Sequence, residues 1–456
     1  MTDRPHRPLD PVPAPGTVVL SRRRLIALLA GGGLAVGATG GLLGAEVTGR
    51  QAPPTTAGPT TSGPPSTPTG HPVTGGPTPN DPLVPVHRRR LVVVELQGGN
   101  DGLATVVPLD QPILNRLRPD LGPRLDELVV LDDRHGLHPA LGELSRRWPL
   151  AVVTGLGSRT PDGSHFEMQR RWWTGDPEGT AALRTGYLGR VCDELGDGRT
   201  PAGAAIGSPS PFLEAARPGS TTTVADPDTV WFLTDDDDWA RALRRALPAL
   251  ADGAPARVPA GAGAWYDRAR QGLLDVLTMA DLLDTSDSDV DTGGYPDTTL
   301  GLRLALTARL LAADPGLKVV HVAFDGFDTH ADQADTHPAL LDELGRCLVA
   351  FRDHLDRLGL GGSTLVATTS EFGRRPEQNG DGTDHGTAAP ALLSGPVNAG
   401  VVGEDPRLDR LDADGNLVAT LAFDAYLALL GETWLGVPVA GTLPGRPTPP
   451  AGVVVT

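Results

Sequence analysis

The sequence predicts an α/β domain: a mainly parallel central sheet with helices on both faces. Short apolar runs recur along the chain without the polar alternation of a half-exposed strand, as in parallel sheets buried on both sides. Longer segments of helical character lie between them, the order expected of crossover units. Polar clusters rich in Asp, His and Gly follow three of these runs. Ligands of open α/β sheets bind beyond the carboxyl ends of the strands, so the clusters are where chemistry is sought.

The first strand is read over residues 91–96, LVVVEL, and a short one over 128–131. Others cover 150–154, 318–324 and 364–368. Helices are expected over 140–148, 165–173, 299–313 and 337–358. Residues 234–288 break the pattern. They carry the run Asp235, Asp236, Asp237, Asp238, and a second acidic segment spans 284–291. Neither has EF-hand spacing, so both read as solvated loops flanking an inserted helical region.

Three zones divide the chain. In residues 1–50, Arg22 and Arg23 precede a Gly- and Ala-rich apolar run over 25–45. Paired arginines before a weakly apolar stretch mark a twin-arginine leader, or an N-terminal anchor if it is not cleaved. The chain is therefore expected to be exported, at the cell surface or secreted. Residues 51–87 are Pro, Thr and Gly with almost no large apolar side chain. Such a segment cannot offset its chain entropy and reads as a disordered tether. Residues 88–456 hold the globular domain.

The chain has 456 residues, 39% hydrophobic, enough for a sizeable core, and a formal net charge of −17. A nucleic-acid surface needs clustered Lys and Arg, so nucleic acid is excluded as a partner. Lys318 is the single lysine. Two cysteines, Cys192 and Cys347, form no metal or redox motif; they could pair or remain buried thiols.

The first polar cluster, residues 97–102, is QGGNDG, with Asn100 and Asp101 directly after the first strand. The second, residues 324–330, is FDGFDTH. There Asp328 and His330 lie two apart and can reach one divalent ion from the same side. The third combines Glu371 and Arg374 in SEFGR with Asp384 and His385 in TDHG. Adjacent Asp and His side chains diverge and can serve neighbouring ions, while Arg374 can neutralise an anionic oxygen. Carboxylate oxygen with imidazole nitrogen suits zinc, manganese or iron, with calcium a further candidate. A fourth segment, GSHFEMQ, sets Ser164 and His165 at a helix start. A hydroxyl nucleophile is aided there by backbone N–H groups; Thr160 is the alternative hydroxyl. Each cluster alone has a plainer reading as a turn or a helix cap. Their joint placement favours a site. Of the remaining histidines, His135 and His138 read as structural turn residues and His321 as a satisfied core residue. His337 and His354 read as surface residues, and Trp172 and Trp173 as packing residues.

Taken together, the leader, GGNDG, SHFEMQ, FDTH, SEFGR and TDHG resemble a large bacterial family of exported proteins of unknown function, grouped with the alkaline phosphatase/sulfatase superfamily. The resemblance runs from about Val92 to Val402. It implies an alkaline phosphatase-like fold with a metal site of one or two divalent ions. By resemblance Asp101 is the first-strand metal ligand, Ser164 the nucleophile, and Asp328, His330, Asp384 and His385 further ligands. No histidine follows His385, where the superfamily has a third late one. Glu371 could substitute, or the site could hold one ion.

The function expected is a metal-dependent hydrolase of phosphate or sulfate esters. Its substrate would be a small anionic ester, with membrane contact only through an uncleaved leader. The alternative is a non-catalytic binding or scaffold protein on the same fold.

Overall fold

A computed structural model describes residues 84–110, 112–198, 200–225 and 294–455. The leader, nearly all of the tether and the acidic stretches over 234–291 lie outside the described residues. Among the described residues no helix is long and apolar enough to cross a membrane.

In chain order the elements are β1 (Arg90–Leu96), α1 (Gly102–Thr105), β2 (Val106–Pro108), α2 (Pro112–Leu117), β3 (Val129–Val130), β4 (His135–Leu137), α3 (Gly142–Arg147), β5 (Leu150–Gly157), α4 (His165–Thr174) and α5 (Tyr187–Leu195). There follow β6 (Gly203–Gly207), β7 (Thr221–Ala225), α6 (Thr299–Ala313), β8 (Val319–Phe324), α7 (Gln333–Arg357), β9 (Thr364–Thr369), β10 (Arg374–Asn379), β11 (Gly382–His385), β12 (Ala389–Ser394), β13 (Gly400–Val402), β14 (Leu421–Ala422) and α8 (Phe423–Ala428). The main sheet runs β13-β5-β12-β9-β1-β8-β6-β7, with β14 also on β5. Every pairing is parallel except those of β12, which is antiparallel to both β5 and β9. The fold is thus α/β with a mainly parallel sheet.

β1 shows why its sequence is apolar throughout. All seven of its residues are buried. Leu91 and Val93 face one core with Met168 and Trp172 of α4, Leu188 of α5 and Tyr426 of α8. Val92, Val94 and Leu96 face the other, with Leu144 of α3, Leu304 of α6 and Leu344 of α7. Helices therefore cover both faces, and a continuous hydrophobic strand is what two-sided burial selects.

Several features depart from the sequence reading, among them β7, β13 and α5, which it did not contain. β6, GAAIG, was invisible because Gly and Ala have little strand preference. It is a strand because small residues let α5 lie close: the space beyond Gly203 is filled by Cys192 Sγ. β12 was also missed, since Pro390 interrupts its short run. His337 and His354 are not surface residues; they are 1% and 8% exposed. α7 begins at Gln333, earlier than expected, and its first turns are roofed by the loop after β1. Cys192 and Cys347 are buried free thiols, and burial raises both, Cys347 to about 12.

Candidate metal centre

β9, β1 and β8 are neighbours and parallel, so the loops after them emerge side by side. The turn after β1 needs glycine. Gly98 has φ 112°, and a side chain there would collide with the backbone of Phe327 and Asp328. This close approach brings the first two polar clusters together. The SEFGR segment fixes the third. Ser370 Oγ donates to Leu96 O at 2.8 Å and accepts from Asn100 N at 2.9 Å.

Arg374 joins all of them. Its side chain is 0% exposed. Nε donates to Gly99 O at 2.9 Å and Nη1 to Thr383 O at 2.9 Å. Nη2 donates to Gly98 O (2.5 Å), Phe327 O (2.9 Å) and Asp328 Oδ1 (2.6 Å). The guanidinium that could have met a substrate anion is occupied by the protein, clamping three loops. Burial pushes the Asp328 carboxyl up, but the hydrogen bond and charge of Arg374 outweigh it, and the group sits below its ordinary range.

Three side chains converge in front of this clamp. Ligand atoms of His165, Asp328 and His385 all lie within 4.8 Å of one another. His385 Nε2 is 3.1 Å from Asp328 Oδ1, and His165 Nε2 is 3.5 Å from Asp328 Oδ2. His330 joins at the solvent side, its Nε2 2.8 Å from His385 Nε2 and 3.1 Å from Asp328 Oδ1. Donors roughly 2.1 Å from a tetrahedral ion sit roughly 3.4 Å apart, close to these spacings.

The far side of each ring is fixed. His165 Nδ1 lies 2.9 Å from Glu371 Oε1. A carboxylate only accepts, so Nδ1 carries the proton. Nε2 of His165 is buried and has no hydrogen-bond partner. A carboxylate behind an imidazole whose other nitrogen is free is the usual support of a metal-binding histidine. His385 is held likewise, donating from Nδ1 to Gly163 O at 2.7 Å. Phe372 packs against both rings, 4.9 Å from His165 and 4.7 Å from His385. The Glu371 hydrogen bond raises the His165 pKa, against burial.

α4, which carries His165, is pinned by its tryptophans. Trp172 Nε1 donates to Glu371 O at 3.0 Å, and Trp173 Nε1 to Glu95 Oε1 at 2.7 Å. Glu95 is buried and its Oε2 lies 3.0 Å from His321 Nε2, the partner that satisfies this core histidine. Burial pushes Glu95 up, yet its hydrogen bonds, that from His321 foremost, hold it below the usual range.

The other expected site residues lie at varying distances from this cluster. Ser164 is exposed and caps α4 without a side-chain cap bond. It stands between Gly163, which holds His385, and His165. The alternative hydroxyl, Thr160, faces Arg171 Nη1 at 3.4 Å. Glu371 is buried behind His165, with Gly98 N also donating to it at 2.8 Å. Asp384 lies behind His330, its Oδ1 3.6 Å from Nδ1, and accepts from Asn379. Asn100 is buried and receives His337 Nε2 at 3.0 Å. Asp101 is not among the converging ligands. It is 0% exposed, and its oxygens accept from Leu103 N, Ala104 N, Arg118 Nη1 and Gln333 Nε2. Burial raises its carboxyl, but the Arg118 charge more than compensates. No lone pair is left for an ion.

A family model described as "Protein of unknown function (DUF1501)" matches residues 152–420. The chain belongs to this family. In this DUF1501 chain the matched stretch holds His165, Asp328, Glu371, Arg374 and His385, and excludes Asn100 and Asp101. No curated protein matches the sequence. Several solved structures resemble the fold loosely. One is a protein in the alkaline phosphatase superfamily from Vibrio parahaemolyticus, 12% identical, with TM-score 0.35, covering 77% of this chain and 67% of its own. Another is a phosphonate monoester hydrolase of Agrobacterium radiobacter, 13% identical, TM-score 0.33, covering 67% and 68%. A third is an alkaline phosphatase from the Antarctic bacterium TAB5, 12% identical, TM-score 0.28, covering 69% and 94%. Likeness at this level leaves the chemistry to be read from the site itself.

His165 is the candidate ligand that sequence reasoning left without a metal role. The signal was present: a histidine at a helix start, one residue after the candidate nucleophile. What could not be read was that Glu371, 206 residues away, stands behind its ring.

Proposed function

We propose that the chain is an exported metal-dependent hydrolase of phosphate or sulfate esters with a single-ion centre on His165, Asp328 and His385. One observation carries the reading: His165 is proton-fixed on Nδ1 by Glu371, while its buried Nε2 has no partner and faces Asp328 and His385. Two imidazoles and one carboxylate suit zinc, manganese or iron. Calcium prefers all-oxygen donors and fits less well. With Asp101 saturated, one ion is the stoichiometry the donors support. His330 completes the set or stands over it.

Such an ion would polarise a non-bridging oxygen of the ester. The residues of the chain do the rest. Ser164 presents a hydroxyl with no cap bond at the start of a ten-residue helix, where backbone N–H groups favour a bound anion. Its Oγ would attack phosphorus or sulfur and displace the ester's alcohol, which leaves with the serine proton; water would then cleave the seryl ester, release phosphate or sulfate and restore the hydroxyl. Arg374 positions Asp328 and does not touch substrate. The leader delivers the folded domain across the membrane.

The saturation of Asp101 also favours a second reading, a non-catalytic scaffold that kept the fold. A screen of aryl phosphate and sulfate esters with zinc-, manganese- and iron-loaded protein separates the two. Hydrolysis that disappears in both Ser164→Ala and His385→Ala supports the hydrolase. Metal binding without turnover of any ester supports the scaffold.

A further inference from the structure

At the amino ends of β9, β1 and β8, opposite the metal centre, lies a cavity of about 800 Å³. β1 alone spans roughly 23 Å at about 3.3 Å per residue, so the two sites are well separated. Arg88, Arg90 and Lys318 all line the cavity. Among the described residues none of the three is ion-paired. In a chain with 56 acidic and 39 basic residues, three cations around one cavity, with Asp314 acting on only Arg90 and Lys318 and at no ion-pair distance, need a reason.

Lys318 and Arg90 are held in place by backbone. Lys318 Nζ donates to His87 O at 2.8 Å and Pro315 O at 2.6 Å, leaving one of its three donors. Arg90 donates from Nη1 to Arg88 O at 3.1 Å. Arg90 is only 8% exposed, and its Nε is buried without a partner. A buried guanidinium normally finds a carboxylate or a phosphate. Asp314 is the nearby carboxylate, but it turns Oδ1 to Gly316 N at 2.7 Å and leaves Oδ2 unpartnered. Burial lowers both Arg90 and Lys318, and Arg90's charge lowers Lys318 further; the charge of Asp314 offsets this only in part. An anion between them would relieve all of this. Gly362 faces open space, so the cavity has room for more than a bare anion.

We propose that this cavity binds a phosphate group carried on a larger organic body, with Arg88, Arg90 and Lys318 as its donors. Two sources share that chemistry, a soluble phosphate ester and the headgroup of an anionic lipid. The cavity is lined by Val84 and Pro85, where the chain enters the domain from its N-terminal segment.

The test uses the full chain carrying His385→Ala and treated with chelator, so that the metal centre cannot take the anion. Inorganic phosphate and glycerol phosphate are titrated by calorimetry. Vesicles of phosphatidylglycerol and of phosphatidylcholine are tested by co-sedimentation. Binding should persist in the His385→Ala background and weaken about tenfold or more in Lys318→Gln, the loss of one charged hydrogen bond. Arg88→Gln, at an exposed position, should weaken it too and cannot act by unfolding the domain. Binding of glycerol phosphate identifies a soluble ester, and binding confined to phosphatidylglycerol vesicles identifies the headgroup. Absence of both, or binding that both variants leave unchanged, overturns the proposal. So does binding that disappears in His385→Ala alone.

Discussion

Replacing Arg374 by Ala tests whether this arginine is a clamp or an anion receptor. The side chain is wholly buried and makes five hydrogen bonds, four to carbonyls and one to Asp328. A hydrogen bond involving a charged group contributes about 1.5–3 kcal/mol, so a plain sum reaches about 7–15 kcal/mol. That is about the whole stability of a typical domain. Bonds in one network do not add, and the Asp328 side chain is 47% exposed, so its pair is discounted for solvent screening; each of the four carbonyls left without a donor costs about 1–3 kcal/mol. Arg374→Ala should therefore lose at least about 4 kcal/mol, or fail to fold. Urea unfolding followed by tryptophan fluorescence measures this as a lower midpoint. Arg374→Lys keeps the charge but not the planar fork and should recover only part. A variant with wild-type midpoint and merely weaker binding of an anionic ligand would refute the clamp.

Other consequences are open to measurement. Glu371→Ala should weaken metal binding about 10–100-fold, as loss of a carboxylate behind a ligating histidine does; Glu371→Gln, able to accept from Nδ1, should lose less. Arg118→Ala leaves Asp101 charged, buried and unpaired, and should cost about 3–5 kcal/mol in unfolding while leaving metal affinity intact. His337 is lowered to about 4, chiefly by burial. Its folded pKa lies below the unfolded value near 6.5, so its contribution is full above about 6.5 and is lost as pH falls to about 4. Across that window the wild type should lose up to about 3 kcal/mol more than His337→Gln, read as the difference between their unfolding free energies.

Much of the sheet was legible because two-sided burial leaves a strong mark. LVVVEL at β1 admits few other readings, and β8 and β9 repeat it. β6 and β12 were not legible: GAAIG and APALLS are strands because of what packs on them, not through their own preference. The site divides along a similar line. FDTH and TDHG pointed to Asp328 and His385, which the fold brings together with His165, since candidate ligands must be specific chemical types. Their supports could not be ranked from sequence. Glu371 and Arg374 look like ligand and anion receptor in a string of letters; burial makes one a prop for His165 and the other a clamp. Asp101 looked like a ligand until Arg118 and Gln333 were seen to fill its oxygens. The buried His337 escaped because α7 is roofed by a loop distant in sequence.

A single-ion centre on His165, Asp328 and His385 is tested most directly by elemental analysis of the purified full chain beside His165→Ala and His385→Ala. Close to one zinc, manganese or iron ion per chain is expected in the parent and far less in either variant. No bound ion after reconstitution with these metals, or an ion content that neither variant changes, would contradict it.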